Sequence, residues 1–180
     1  MKKLIVLILA FALVLSMAAC GGSAKLANSI TLKADDDEET HYEIKLGYPN
    51  GATLDGTDLD SCCTITSESK DYEIYVALVI DTTYEENKEY DKENYELYRE
   101  GKIAGFDGYS YKESDYTYHA AVMLSDTEYE SEAVYMDFTI GSASRDLEKT
   151  AEQIFQIDEV QQILNSIEFL GKNPEDAEKK

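Results

Sequence analysis

Apolar and polar positions alternate with period two through the middle of this chain, the pattern of strands that turn one face to a core. Tyr42, Ile44, Leu46 and Tyr48 share one face of a predicted strand. Tyr72, Ile74, Val76, Leu78 and Ile80 share a face of another. Its opposite face, Tyr75, Ala77 and Val79, is apolar too, which predicts a central strand covered on both sides. In a third run, Tyr116, Tyr118, Ala120, Val122 and Leu124 alternate with Thr117, His119, Ala121 and Met123. In a fourth, Val134, Met136, Phe138 and Ile140 alternate with Ala133, Tyr135 and Asp137. Shorter strands are predicted near Ser29–Lys33, Cys62–Ser67 and Ile103–Lys112. Pro49-Asn50-Gly51, Asp55-Gly56 and Asp107-Gly108 carry turn chemistry. The short spacing between strands favours antiparallel pairing.

Helical spacing interrupts this pattern in two places. From about Glu86 to Glu100, Tyr90, Leu97 and Tyr98 lie near one stripe, with Gly101 as the terminating residue. Toward the C-terminus, Leu147, Ala151, Ile154 and Phe155 form one helical set. Val160, Ile163, Leu164 and Ile167 form the next, with Asp158 as N-cap. A last strand, Ile167–Leu170, follows. The elements predict an α+β fold in one domain over residues 28–171, with residues 172–180 as a disordered polar tail.

The first residues follow neither pattern. Lys2 and Lys3 precede an unbroken apolar run, Leu4–Leu15, too short to span a bilayer and of the length of a signal-peptide core. A membrane-spanning anchor is the other reading of that run. Met17-Ala18-Ala19-Cys20 resembles the lipobox of bacterial lipoprotein precursors. The resemblance implies a signal peptide over residues 1–19, cleavage between Ala19 and Cys20, and a diacylglycerol thioether on Cys20. Two acyl chains hold a protein stably at a membrane where one does so marginally. A cysteine there by chance is the plainer alternative. Gly21-Gly22-Ser23 opens a flexible tether over residues 20–27. The expected address is extracytoplasmic, lipid-anchored to the cell membrane.

Composition narrows the partners. The 180 residues carry 37 acidic and 16 basic side chains, a net charge of −21. Removing residues 1–19 takes away Lys2 and Lys3 and leaves 14 basic side chains, making the charge −23. A nucleic-acid partner is excluded, since phosphate binding needs clustered Lys and Arg, and only Arg99 and Arg145 are present. There is no Trp, and Tyr, at 14 residues, outnumbers Phe at 5. Much of the core must therefore come from rings whose hydroxyls need partners.

The order of elements from His41 to Leu170 resembles the PsbP-like family of α/β/α sandwiches. Three stretches carry the resemblance: Gly47-Tyr48-Pro49 at the end of a strand, Ile103-Ala104-Gly105-Phe106-Asp107-Gly108-Tyr109, and Ile163-Leu164-Asn165-Ser166-Ile167-Glu168-Phe169. The resemblance implies a central antiparallel sheet of about six strands flanked by helices. It implies accessory binding rather than chemistry, without a cofactor.

Candidate chemistry is sparse. No nucleophile-elbow motif, zinc-spaced His pair or glycine-rich phosphate loop occurs. His119 sits mid-strand, where a packed or edge His is the ordinary reading. Cys62-Cys63 reads as two small hydrophobes pointing to opposite faces, with a strained vicinal disulfide as the alternative. The acidic clusters Asp35–Glu39, Asp55/Asp58/Asp60 and Asp126/Glu128/Glu130/Glu132 read as solvated faces. Asp55, Asp58 and Asp60, around a turn, are also a candidate cation site. Tyr109, Tyr111, Tyr116 and Tyr118 are a candidate aromatic surface for a ligand, or else the cover between sheet and helix. The expectation is a non-enzymatic binding or accessory module at the membrane, with an envelope protein as partner. The alternative is a small-ligand or divalent-cation-binding lipoprotein that uses the acidic loops or the tyrosines. An envelope hydrolase is the third class.

Overall fold

Every second side chain of the predicted strands is apolar, and these side chains close on one another to make a core between two antiparallel sheets. The computed structural model describes residues 26–35, 41–56, 60–126, 133–144 and 149–172. The expected signal peptide, the expected tether up to residue 25, Asp36–Glu39, Asp58, Glu128, Glu130, Glu132, Leu147 and residues 173–180 lie outside the described residues.

The smaller sheet joins β1 (Asn28–Asp35), β2 (His41–Tyr48) and β10 (Glu168–Lys172), with β2 in the middle. The larger contains β3 (Thr53–Asp55), β4 (Cys62–Thr66), β5 (Glu73–Asp81), β6 (Glu96–Ile103), β7 (Phe106–Lys112), β8 (Thr117–Asp126) and β9 (Ala133–Gly141). Its order is β3-β4-β5-β9-β8-β7-β6. Among the described residues there are three helices: α1 (Tyr84–Asn94), α2 (Ala151–Phe155) and α3 (Asp158–Leu164).

The core lies on the even-numbered face of the large sheet. Ile74, Val76, Phe138, Ala120 and Val122 are fully buried there, beneath Ile44 and Leu46 of the small sheet and Ile154, Val160 and Ile163 of α2 and α3. On the odd-numbered face α1 covers a smaller cluster around Tyr84, Tyr109 and Tyr135. Among the described residues strand takes up 55% and helix 18%, so the domain is more β-rich than a sheet sandwiched between helical layers.

The difference arises largely at one place. The helix expected to run to Glu100 ends at Asn94, and Glu96–Ile103 forms edge strand β6 instead. With only Tyr84 and Asp91 buried, α1 has no apolar stripe to carry it further. Leu97 takes a φ of 55° where the β6–β7 register shifts, which breaks any helical continuation. Gly101 therefore pairs with Gly108 inside the hairpin and ends no helix. Ala104 and Gly105 make the turn, both at positive φ. Asp107-Gly108, expected as a turn, lies inside β7. There a Cβ on residue 108 would come within 2.7 Å of the Ala121 carbonyl oxygen, so only glycine fits.

Two further expectations change. β5 is covered on its inner face but only in part on its outer face, where Val79 packs against the tyrosine cluster and Tyr75 is 42% exposed. Asp158 is the first helical residue of α3, with Ile157 as N-cap. Thr150 and Gln153 close a capping box on α2.

Tyr118 shows the cost of a tyrosine-rich core. Its ring is fully buried and stacks on Phe155 at 4.1 Å between centroids, yet its hydroxyl has no hydrogen-bond partner among the described residues. Tyr118→Phe is expected to raise stability by about 1 kcal/mol, because it removes an unsatisfied buried donor. A urea midpoint that falls in this variant would contradict that account.

Candidate functional site

The odd-numbered face of the large sheet carries the polar chemistry. Register sets its layout in three rows. Ala77, Asp137 and Ala121 lie side by side across β5, β9 and β8. Tyr75, Thr139 and His119 form the row on one side, and Val79, Tyr135 and Met123 the row on the other. β7 extends two of these rows, with Tyr109 opposite Ala121 and Tyr111 opposite His119.

Aromatic rings dominate the half of this face nearest α1. Tyr84 of α1 meets Tyr109 at 5.7 Å and Tyr135 at 5.0 Å between centroids. Tyr98 stacks on Tyr109 at 5.7 Å, and Tyr111 stacks on Tyr95 at 4.7 Å and on His119 at 5.0 Å. Each such pair contributes about 0.5–1.5 kcal/mol beyond its buried area.

Two carboxylates stand among these rings. Asp91, from α1, is 8% exposed and accepts a 3.1 Å hydrogen bond from the Tyr109 hydroxyl. Burial holds its carboxyl above the usual range, while the Tyr109 hydrogen bond and His119 pull the other way. Asp137 is partly buried in the middle of the sheet face. Burial raises its carboxyl too, and Asp91 adds to the rise, while His119 and the Phe138 amide oppose it. Among the described residues no Lys or Arg forms an ion pair with Asp137.

His119 bonds Glu113 through Nε2 at 3.1 Å, and its Nδ1 lies 3.5 Å from Thr139 Oγ1. A threonine, a histidine and a carboxylate thus fall in line. The 3.5 Å contact is at the limit of a hydrogen bond, and the sheet ladder engages the backbone around Thr139 from β5 and β8.

The four candidate tyrosines do not form one surface. Tyr109 and Tyr111 share the outer face, where Tyr109 is buried beneath α1. Tyr118 points into the core, because strand parity sends it opposite to His119. Tyr116 is 60% exposed beside the Ser114-Asp115 turn. Of the candidate cation ligands, Asp55 ends β3 opposite Thr64, and Asp60 lies across the gap that contains Asp58. The Asp60 carbonyl accepts from the Lys33 amide, and the residue borders a cleft of about 680 Å³ between β1 and β5. No three His, Cys, Asp or Glu side chains among the described residues are placed to hold a metal ion.

Cys62 and Cys63 are free thiols on opposite faces. Burial pushes the Cys63 thiol up to about 11, away from a reactive thiolate. Cys62, on the outer face, hydrogen-bonds the Tyr75 hydroxyl, which is the main cause of that phenol's raised pKa.

Asp91, Asp137, Tyr84, Tyr95, Tyr98 and Tyr135 were not among the sequence candidates. Asp137 did leave a signal, as the one charged residue in Ala133–Gly141. No protein-family model, no curated protein and no solved structure matches the chain. Fold and site together define an antiparallel two-sheet domain with an aromatic, carboxylate-bearing outer face.

Proposed function

We propose that the chain is an extracytoplasmic lipoprotein, anchored through Cys20, whose PsbP-like domain serves as a non-enzymatic binding module at the membrane. The observation that carries this reading is the leader: Lys2-Lys3, the apolar run Leu4–Leu15, then Met17-Ala18-Ala19-Cys20. Among the described residues no helix is long and apolar enough to cross a membrane. The order of elements from His41 to Leu170 supports the family assignment, and the open outer face supports the binding role. That face also favours the second reading, a lipoprotein that takes a small ligand.

Cys20→Ser tests the address. In a bacterial host fed labelled palmitate, the wild-type chain is expected to take up label, be trimmed and stay with membranes after a carbonate wash. The variant is expected to remain an untrimmed, unlabelled precursor. Trimming and carbonate-resistant membrane association of the serine variant would sink the lipoprotein reading.

A further inference from the structure

We propose that the outer face of the large sheet binds an organic cation, an ammonium group on an aromatic body, seated on Asp137 between Ala77 and Ala121. The inference rests on the binding-module reading for the domain's role and is independent of the membrane address.

Three observations converge on this seat. The first is the missing counter-charge. Asp137 sits mid-sheet, partly buried, with a hydrogen bond from the Phe138 amide and, among the described residues, no ion pair. A carboxylate withdrawn from water without a basic partner is costly, and a bound cation supplies that partner. Asp91 adds a second negative charge on the α1 side. The nearest basic group, His119, has Nε2 engaged by Glu113.

The second observation is room. The residues on either side of Asp137 are alanines, whose side chains end at Cβ and leave the carboxylate recessed. Ala121 is closed off by the tyrosine cluster under α1. The other side is open: Ala77 and Thr139 are only partly buried, and Tyr75 is 42% exposed. A ligand therefore enters over β5, not beneath the helix.

The third observation is the wall. Tyr75 and His119 flank Thr139 in the next row, and Tyr135 adjoins Asp137 along β9. Rings around a carboxylate suit an organic ammonium, through cation–π attraction and contact with its apolar body. A metal ion is a poorer fit. Calcium takes six or more oxygens, and no third metal-ligating side chain converges with Asp137 and Asp91 among the described residues.

Benzylammonium is the probe, with benzyl alcohol as its uncharged counterpart, added to the full chain in a non-ionic detergent at fixed ionic strength. Binding is followed by calorimetry. Benzylammonium is expected to bind saturably, and Asp137→Asn to weaken it about tenfold or more, the effect of losing roughly 1.4 kcal/mol. Glu73→Gln removes an exposed acid from the same strand face, four residues from Ala77, and is expected to leave affinity unchanged. Ala77→Leu fills the seat with the carboxylate intact and is expected to abolish binding. A melting curve for each variant separates lost binding from lost folding. Equal loss in the Asp137 and Glu73 variants would mean attraction to the acidic surface alone and would overturn the proposal. If benzyl alcohol bound as well as benzylammonium, the cation claim would fail while the binding-module reading stood. If neither probe bound, the site itself would be refuted.

Discussion

Phe138→Ala is expected to destabilise the domain by about 3–5 kcal/mol, the range for emptying a buried aromatic site. Phe138 is fully buried in β9, between Val76 of β5 and Ala120 of β8. Strand pairs on both sides hold its backbone, so the strand cannot shift to close the hole. Its neighbour on β8, Ala120, is too small to fill the hole. A domain of this kind is held by about 5–15 kcal/mol, so the loss takes much of the total. The check is a lower urea midpoint with an unchanged denaturant slope. A midpoint that moves by less than the equivalent of about 1 kcal/mol would show that the site collapses freely, against the packing described.

Tyr109→Ala is expected to cost a similar amount, about 3–5 kcal/mol, for a different reason. Tyr109 ties α1 to the sheet. Its ring touches Tyr84 and Tyr98, and its hydroxyl donates to Asp91. Since α1 buries only Tyr84 and Asp91, few other contacts replace these. Tyr109→Phe isolates the hydroxyl and is expected to cost about 2 kcal/mol near pH 7, because the buried Asp91 carboxyl keeps Tyr111 but loses the Tyr109 donor.

The cost of Tyr109→Phe should depend on pH in a definite direction. Burial raises the Asp91 carboxyl in the folded state. For a raised acid, folding is favoured while the group is protonated, and stability falls as pH rises from the unfolded value of about 3.9 through the higher folded value. Losing the donor raises the folded value further and deepens that fall. The gap between wild type and Tyr109→Phe should therefore be widest near neutrality and narrow toward pH 4. Tyr116→Phe, on an exposed ring, should match wild type throughout. A gap that is flat with pH would detach the effect from Asp91.

Much of this architecture is visible in residue order because its physics is local. Strands β2, β5, β8 and β9 follow from alternation, since one buried face requires an apolar residue at every second position. The turn at Asn50-Gly51 follows from glycine at positive φ. Helix α3 follows from Val160, Ile163 and Leu164, all buried on one stripe. β6 could not be read this way. In Glu-Leu-Tyr-Arg-Glu-Gly-Lys-Ile few residues are buried, and what holds the segment extended is the ladder to β7. A hydrogen-bonding partner of that kind has no signature within the segment itself.

The outer-face site was hidden for a related reason. Alternation puts Val134, Met136, Phe138 and Ile140 on one face of β9, but it does not say which distant segments cover either face. Packing of the small sheet, α2 and α3 onto the even-numbered side decides it, and so leaves Asp137 on the odd-numbered side. The same choice sends Tyr118 inward and keeps Tyr109 and Tyr111 outside, dividing rings that look equivalent along the chain. Asp91 needed one more contact between distant segments, the docking of α1 on Tyr109. Strand periodicity, charge and the leader are properties of neighbouring residues and belong to the sequence by itself. The identity of each face, the edge strand and the meeting of two carboxylates depend on which distant segments pack together, and only the tertiary structure decides that.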